Sequence, residues 1–397
     1  MSTGPLEGVR ILDLTRIVAG PYGTSLLAEL GARVLKVEQP ETGDEIRLFP
    51  DQVRGLSVTF NDLNRNKESL TLDLRTERGQ EVLCRLAEKF DVLTENFAAG
   101  TLERWGLGWE ALHARNPRLV YASLSGFGQD GPYASHRSYD LVSQATGGLM
   151  FMTGEPDGPP IKTGTNLADY VGGLFLAVGI LAALRERDAS GLGQHIDISN
   201  QDALVTMLDS AVSWFRASGE QPARSGNFHR RVAPYGAYRA KDGWVVVAMG
   251  SAKMFPKSLA AIGREDLLED AGFMERVSRF AFRDELNEHW SAWVAERSCA
   301  EVEQVCREHG LGFGTVKSIA DLASDRQLEH RGMLAEVEHP DGEGPLPTRG
   351  VPIQLGRTPG SVRRAAPTLG SDTERVLREM LDLTPEAIEQ LRRDGIV

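Results

Sequence analysis

The sequence predicts an α/β fold: a Rossmann-like large domain with a parallel sheet, joined to a smaller α+β domain. Three observations predict it. Short β-rich runs alternate with helix-length segments through the first half of the chain, the pattern of βαβ units. The chain has 397 residues, and length over about 150 gives two to three domains. A polar, Gly- and Arg-containing stretch, Ser218 to Arg231, then separates this half from a second, smaller pattern.

The elements follow in order. Val9 to Leu14 reads as a strand, Pro21 to Leu30 as a helix and Arg33 to Val37 as a second strand. Strand Ser69 to Leu74, helix Glu77 to Lys89, strand Asp91 to Thr94, helix Trp109 to Ala114 and strand Leu119 to Leu124 repeat the unit. A long helix from about Leu167 to Arg187 comes next, with a fifteen-residue apolar run from Tyr170 to Leu184. That run is shorter than the ~18 residues of a membrane span, so it reads as a buried core helix. Strand His195 to Ile198 and a helix from Gln201 to about Ala217 close the first pattern. The predicted organisation is therefore a large domain over 1–217, a linker over 218–235, a small domain over 236–324 and a return segment over 325–397. In the small domain Trp244 to Ala248 reads as a strand, with helices near Phe255 to Ile262, Phe282 to Glu296 and Ala300 to His309. The return segment is Gly/Pro-rich and extended to Pro367. Two terminal helices follow, one after Ser371 and one opened by the cap-then-proline signal Thr384-Pro385.

Composition removes several function classes. Lys plus Arg number 44 against 56 Asp plus Glu, a net charge of -12, which gives no electrostatic footprint for nucleic acid. Three cysteines and eight scattered histidines have no ligand spacing, so neither a disulfide scaffold nor a metal site is expected. The N-terminus shows no signal peptide, and a reducing cytoplasm fits. Gly126-Phe-Gly128-Gln-Asp-Gly131 formally matches the dinucleotide fingerprint, but Pro132-Tyr133-Ala134-Ser135 follows where a helix should open. Dinucleotide binding is therefore not expected.

Two features carry chemistry. Asn166 can cap a helix, which places Asp169 at the third helical position. That aspartate either complements the helix dipole or presents a nucleophilic carboxylate in a cleft, and local sequence leaves both open. Arg16, Arg47, Arg65 with Lys67, and Arg104 sit at the carboxyl ends of predicted strands, the ligand-binding edge of an open α/β sheet. Together they suggest a phosphorylated ligand.

The run Leu6-Glu-Gly-Val-Arg-Ile-Leu-Asp-Leu-Thr15, with Ala19-Gly20-Pro21 and Leu30 to Glu38, resembles the opening of a class III CoA-transferase, the formyl-CoA transferase and carnitine CoA-transferase type. Asn64-Arg-Asn-Lys67, Glu95-Asn-Phe97 with Arg104 and Gly106, Gly126-Phe-Gly128, the Asp169 segment, Gly193-Gln194 and Asp202-Ala203 continue it across essentially the whole chain. The resemblance implies an enzyme that moves coenzyme A between carboxylic acids, with coenzyme A and acyl-CoA as substrates and no metal. It implies a sheet domain built from both chain ends and an interlocked homodimer. It places the catalytic aspartate at Asp169, which would pass through a mixed anhydride and an aspartyl-CoA thioester.

Val18, Asn96, Phe97, Arg104, Arg137 and Tyr139 match coenzyme-binding positions of that family. Val18 stands where formyl-CoA transferase has a glutamine, Arg137 where the family has a lysine, and Gln39 where it has a basic residue. The family's closing glycine run is replaced by Ser225 to Arg231, which argues against oxalate and formate as substrates. His229, Arg230 and Arg231 in that stretch are candidates to bind a free carboxylate or a phosphate, which suggests a dicarboxylate acceptor or donor. Phe49, Tyr139 and Asp140 are candidates for the substrate pocket, with packing as the equal alternative. Two other functions were open: an α-methylacyl-CoA racemase, against which Tyr139 replaces the catalytic histidine with His136 three residues off register, and a coenzyme A binder without turnover.

Overall fold

The structure is a computed structural model and describes residues 4–271, 283–342 and 344–397. The chain forms two compact units. The first contains Met1–Met150, Lys162–Ala217 and Arg326–Val397, and the second contains Phe151–Ile161 and Ser218–Asp325.

The first unit is built on six strands: β1 (Arg10–Asp13), β2 (Arg33–Glu38), β3 (Glu68–Thr71), β4 (Val92–Glu95), β5 (Val120–Ser125) and β6 (His195–Ser199). All neighbours pair in parallel, in the spatial order β3-β2-β1-β4-β5-β6. The strands are short and, apart from the edge strand β6, largely buried because both faces are covered. Ile11, Leu12, Val34, Leu35, Val92, Leu93 and Val120 have no exposed surface. Helices α1 (Ala19–Glu29), α2 (Glu77–Ala87) and α3 (Trp109–Arg115) are crossovers, and α2 shows why its segment is helical. Thr76 accepts the Gly79 N–H as N-cap, and one apolar face, Val82, Leu83 and Leu86, turns to the sheet. Two further helices, α4 (Asp140–Thr146) and α5 (Leu167–Ser190), precede β6, and α6 (Asn200–Val205) follows it.

By length and composition α5 could cross a membrane, but half of its apolar window is buried in the protein. Leu176, Ile180 and Ala183 pack with Leu27, Val34, Val92 and Val120, and buried Arg187 pairs with Asp91 at 2.9 Å. Its closest approach is to α1. A β-carbon on Gly173 would lie 2.3 Å from the Ala19 carbonyl, so only glycine permits the crossing. This contact seats the first turn of α5 beside the carboxyl end of β1.

Both chain ends contribute to the first unit, but the expectation that both contribute to its sheet needs correction. Every strand of the parallel sheet comes from residues 10–199, and the return segment adds helices instead. Val376, Leu377, Ile388 and Leu391 of the two terminal helices join Leu35, Leu70 and Leu83 in one core. The return segment opens with a short helix at Arg326–His330 where extended chain is expected, and then runs through a hairpin of β10 and β11 at Leu334–Glu338 and Pro345–Arg349. The helix read from Gln201 to Ala217 breaks after Val205 and resumes at Ala211, with Asp209 at φ 48° between them.

The second unit holds an antiparallel sheet of β7 (Tyr235–Arg239), β8 (Trp244–Ala248) and β9 (Gly312–Thr315), in the order β9-β8-β7. Tyr238, Val245, Val247, Trp290, Val302 and Cys306 fill its core, with helices at Phe255–Ala261, Arg283–Ala295 and Cys299–His309. The predicted start at Phe282 lies outside the described residues. The stretch 218–235, read as a linker, belongs to this unit. The Ala237 N–H donates to the Asn227 carbonyl at 3.0 Å, and Phe228 meets Tyr238 ring to ring at 5.5 Å. Arg224 gathers residues 151–161 by donating to the carbonyls of Phe151, Glu155 and Gly158 at 3.2, 3.1 and 2.6 Å.

Candidate active site

The strand order reverses between β1 and β4, and ligands of open α/β sheets bind at the carboxyl ends beside such a switch. Two cavities open there. One, of about 560 Å³, is lined among others by Leu14, Arg16, Gln39, Thr42, Leu72, Arg75, Phe97 and Trp105. The second, of about 350 Å³, is lined by Arg16, Val18, Asn96, Phe97, Gly126, His136, Arg137, Tyr139, Asp169 and Asn200 among others. Arg16, Glu45 and Phe97 line both, so the cavities adjoin.

A buried charge network fixes the loop between β1 and α1 that faces both cavities. Asp13, Lys36, Asp44 and Lys67 have essentially no exposed surface. Lys67 binds Asp13 at 3.0 Å and Lys36 binds Asp44 at 2.9 Å. Thr15 and Thr24 add hydroxyl bonds to Asp13 at 2.5 and 2.7 Å. The Asp44 carboxylate accepts the Ile17 N–H at 3.1 Å, and this holds Ile17 at φ 68°. A β-branched residue there costs about 1–3 kcal/mol and persists only where its surroundings fix it. Burial alone would raise the Asp13 carboxyl, but the Lys67 and Lys36 ammoniums bring it down to about 2. Burial pulls Lys67 down to about 8 against the opposing pull of Asp13.

This network corrects the reading of the strand-end cations. Arg47 is bidentate to Glu38 at 2.8 Å on both contacts and lies over the Phe60 ring, while Arg65 binds Glu29 at 2.5 Å in the core. With Lys67 tied to Asp13, three of these cations hold the fold. Arg16 and Arg75 remain at the larger cavity, and Arg75 also pairs with Asp73.

Asp169 lies in the first turn of α5 and faces the smaller cavity. Asn166 makes no side-chain cap bond, contrary to the sequence reading. Asp140 takes that role from α4, accepting the N–H groups of Ala168 at 2.8 Å and Asp169 at 3.4 Å. The Asn200 amide donates to the Asp169 carboxylate at 3.3 Å. Glycine at 172 makes room for that amide, since a β-carbon there would lie 1.9 Å from Asn200 Oδ1. Burial and then the Asp140 charge raise the Asp169 carboxyl to about 7, with the Asn200 bond opposing them. Nearby Glu95, whose carboxylate accepts the Phe97 N–H at 2.8 Å, is likewise raised to about 7 by burial.

A family model for CoA-transferase family III matches residues 6–373. The chain belongs to CoA-transferase family III. This class III CoA-transferase is 38% identical over 397 residues to the succinyl-CoA–L-malate CoA-transferase alpha subunit of Chloroflexus aurantiacus, covering 99% of the chain and 92% of that protein. It is 39% identical over 332 residues to acetyl-CoA:oxalate CoA-transferase of Acetobacter aceti, covering 83% and 85%. Among solved structures it is similar to a CAIB/BAIF family protein from Brucella suis, at 35% identity and TM-score 0.82, covering 95% of the chain and all of that one. Members of this family transfer coenzyme A between acyl-CoA and carboxylates, and this enzyme's substrates are of those two classes. Among the described residues no group of three or more His, Cys, Asp or Glu side chains is arranged to hold a metal.

The structure gathers Val18, Asn96, Phe97, Arg137, Tyr139 and Asp169 of the transferase around one cavity. Asn96 does so while tied to the protein: its amide both donates to and accepts from the Arg16 backbone at 2.8 Å. Arg104 is exposed, donates to Thr101 at 3.0 Å and lines neither cavity. Phe49 also lines neither, and Asp140 caps α5. His229 lies in the second unit, where its ring nitrogen accepts the Arg231 and Val232 N–H groups at 3.1 Å. Sequence reasoning missed Asn200 and Arg75. Asn200 follows β6 as Asp169 opens α5, but only three-dimensional packing joins them.

Proposed function

We propose that this enzyme moves coenzyme A from succinyl-CoA to a dicarboxylic acid through a thioester on Asp169. The observation that carries the reading is the half-buried Asp169 carboxyl facing one cavity that adjoins a larger one at the strand-order switch. The larger cavity, with Arg16 and Arg75, suits the phosphorylated end of the donor, and the smaller suits its thioester.

In the first step an Asp169 oxygen attacks the thioester carbonyl, the C–S bond breaks and coenzyme A leaves as thiolate, giving an acyl-aspartyl anhydride. The thiolate then attacks the aspartyl carbonyl and releases the carboxylate. The acceptor carboxylate attacks this aspartyl thioester, and the thiolate finally takes the new acyl group from the resulting anhydride, restoring Asp169. Each tetrahedral oxyanion needs N–H donors, and water must be kept from the anhydride.

Malate and oxalate, the acceptors named for the two relatives, are both dicarboxylates, which supports that acceptor class. The oxalate relative also weakens the argument against oxalate drawn from the missing glycine run. The proposed enzyme works as a homodimer. Leu174 and Val178 on α5, with Val212 and Phe215, leave apolar side chains roughly half exposed, as a partner surface would require. Its three cysteines are unpaired, in keeping with a reducing cytoplasm.

A panel of carboxylic acids with succinyl-CoA, read by mass spectrometry of acyl-CoA species, tests the reading. New acyl-CoA formed by the wild type and not by Asp169→Ala supports it. Equal exchange by both proteins sinks it. One observation favours a second reading: His136 lines the cavity that Asp169 faces, as a proton-transferring pair would require. Exchange of the α-proton of a 2-methylacyl-CoA without any transfer would establish that chemistry instead.

A further inference from the structure

Three groups near the site are used by no step above: the Asp140–Gln144 pair on α4, buried Glu95, and His136. The first is joined to the reacting group by the most direct geometry. Helix α5 begins without a side-chain bond from its own N-cap residue, and its first N–H groups would otherwise have no intrahelical partner. Asp140, 28 residues upstream of Ala168, supplies the acceptor with one oxygen, at 2.8 Å to Ala168 and 3.4 Å to Asp169.

Its other oxygen accepts from the Gln144 amide at 2.7 Å. Gln144 has no exposed surface, lies one turn further along α4, and through its own oxygen accepts the Thr163 N–H at 3.0 Å. The same side chain therefore holds both Asp140 and the segment that leads into α5. Every contact to Asp140 is a donated N–H, so its carboxylate is fixed in direction and its negative charge stays against the first turn of α5.

We propose that Asp140 is a positioning residue for the reaction: it caps the helix that presents Asp169 and holds a second negative charge beside the nucleophile. The proposal rests on the reading of Asp169 as nucleophile. The Asp140 charge at the first turn of α5 destabilises the ionised Asp169, and acylation moves the Asp169 charge onto the departing thiolate. When the Asp169 oxygen bonds to the acyl carbon and the thiolate departs, the aspartyl group becomes neutral and the repulsion is relieved. The charge at Asp140 thus favours the acylated enzyme over the free carboxylate.

Asp140 faces Asp169 from α4, Asn200 from α6 and Tyr170 from α5 itself, while Arg16, Glu45, His136, Arg137 and Tyr139 lie around the same cavity. Burial and Asp140, in that order, raise the Asp169 carboxyl to about 7, and Asn200 opposes them. Glu95 titrates in the same range, so an activity profile alone would not assign the group.

The test is an infrared difference titration of wild type minus Asp169→Asn, repeated in an Asp140→Asn background. It reads the Asp169 carboxylate band against pH and needs no turnover. In Asp140→Asn the retained carbonyl oxygen can still accept the Ala168 N–H, but the charge is gone. The expected result is a midpoint near 7 in the wild type, falling by on the order of 1 pH unit in the variant. The acid limb of kcat/KM is expected to move down by the same amount. An unmoved midpoint in Asp140→Asn overturns the proposal. A wild-type midpoint in the ordinary carboxylate range overturns it without any Asp140 variant. A shifted midpoint together with full transferase activity in Asp169→Asn would uphold the charge effect and overturn the nucleophile reading instead.

Discussion

Two clusters of buried charge stand at the carboxyl ends of the sheet, and they are built in opposite ways. Around β1 and β2, Asp13 and Asp44 each face a buried lysine, and hydroxyl and backbone donors satisfy their remaining oxygens. Around the start of α5, Asp140 accepts the backbone N–H groups of Ala168 and Asp169, and the Asn200 amide donates to the Asp169 carboxylate, with no ion-pair partner bonded to either. Ammoniums hold one carboxyl down at about 2, and burial and a like charge lift the other to about 7. The compensated cluster resists protonation and fixes a loop. The other leaves the Asp169 carboxyl raised, a strain that the proposed acylation would relieve. Perturbed carboxyls arise in both, with shifts of opposite sign.

The largest expected effect breaks the second cluster. Asp169→Ala should lower the transfer rate by at least about 10³-fold at saturating substrates, as loss of a covalent nucleophile does. Steady-state assays with the best acceptor check it, and a drop below tenfold would contradict the assignment.

Next comes the first cluster. Lys67→Met leaves Asp13 buried without its ion-pair partner, which should cost about 3–5 kcal/mol of stability. Urea unfolding with an unchanged m-value would read this directly. The pH dependence has a defined sign here. The Asp13 carboxyl is lower in the folded state, so its contribution is complete above the unfolded value of 3.8 and is lost as pH falls toward about 2. A fully buried group shifted this far contributes on the order of 2 kcal/mol.

The opposite sign applies at Asp169. Its carboxyl is raised in the folded state, so the stability it adds is complete below the unfolded value of 3.8 and is lost as pH rises through about 7. Asp169→Asn should therefore melt higher than the wild type at pH 8 while being inactive, by on the order of 2 kcal/mol, with the gap closing toward pH 5. Melting curves at the two pH values would show it. Equal stability at pH 8 would mean that Asp169 is not destabilised.

The smallest effect concerns Asn200, whose single bond lowers the Asp169 carboxyl. Asn200→Ala should move the acid limb of activity upward by a fraction of a pH unit, opposite to Asp140→Asn. A pH–rate profile distinguishes the two directions.

Much of the scaffold was legible in the sequence. The alternation of strand and helix patterns located the six strands of the sheet within a few residues, because most of them are short buried runs spaced by helix-length segments. The contribution of the return segment was misjudged, since a βαβ alternation does not say whether a distant segment adds a strand or a covering helix. Tertiary contact decided that, through Val376, Leu377 and Ile388 against β3 and α2.

The site was legible at single residues. Asp169 stood out through its place in a helix's first turn and through the resemblance. Asp140 was legible only as a candidate pocket residue and Asn200 not at all, since they lie 29 and 31 residues away and only the fold brings them to Asp169. The arginines misled for the same reason: local sequence cannot show that Glu38 and Glu29 already hold Arg47 and Arg65.

The central claim is that Asp169 carries coenzyme A during turnover. The most direct measurement is a rapid quench of enzyme with acyl-CoA, followed by peptide mass spectrometry of the segment containing Asp169. The account predicts a coenzyme A adduct on the Asp169 carboxyl that forms within one turnover and disappears when the acceptor acid is added. Transfer at full rate with that peptide unmodified throughout would contradict it.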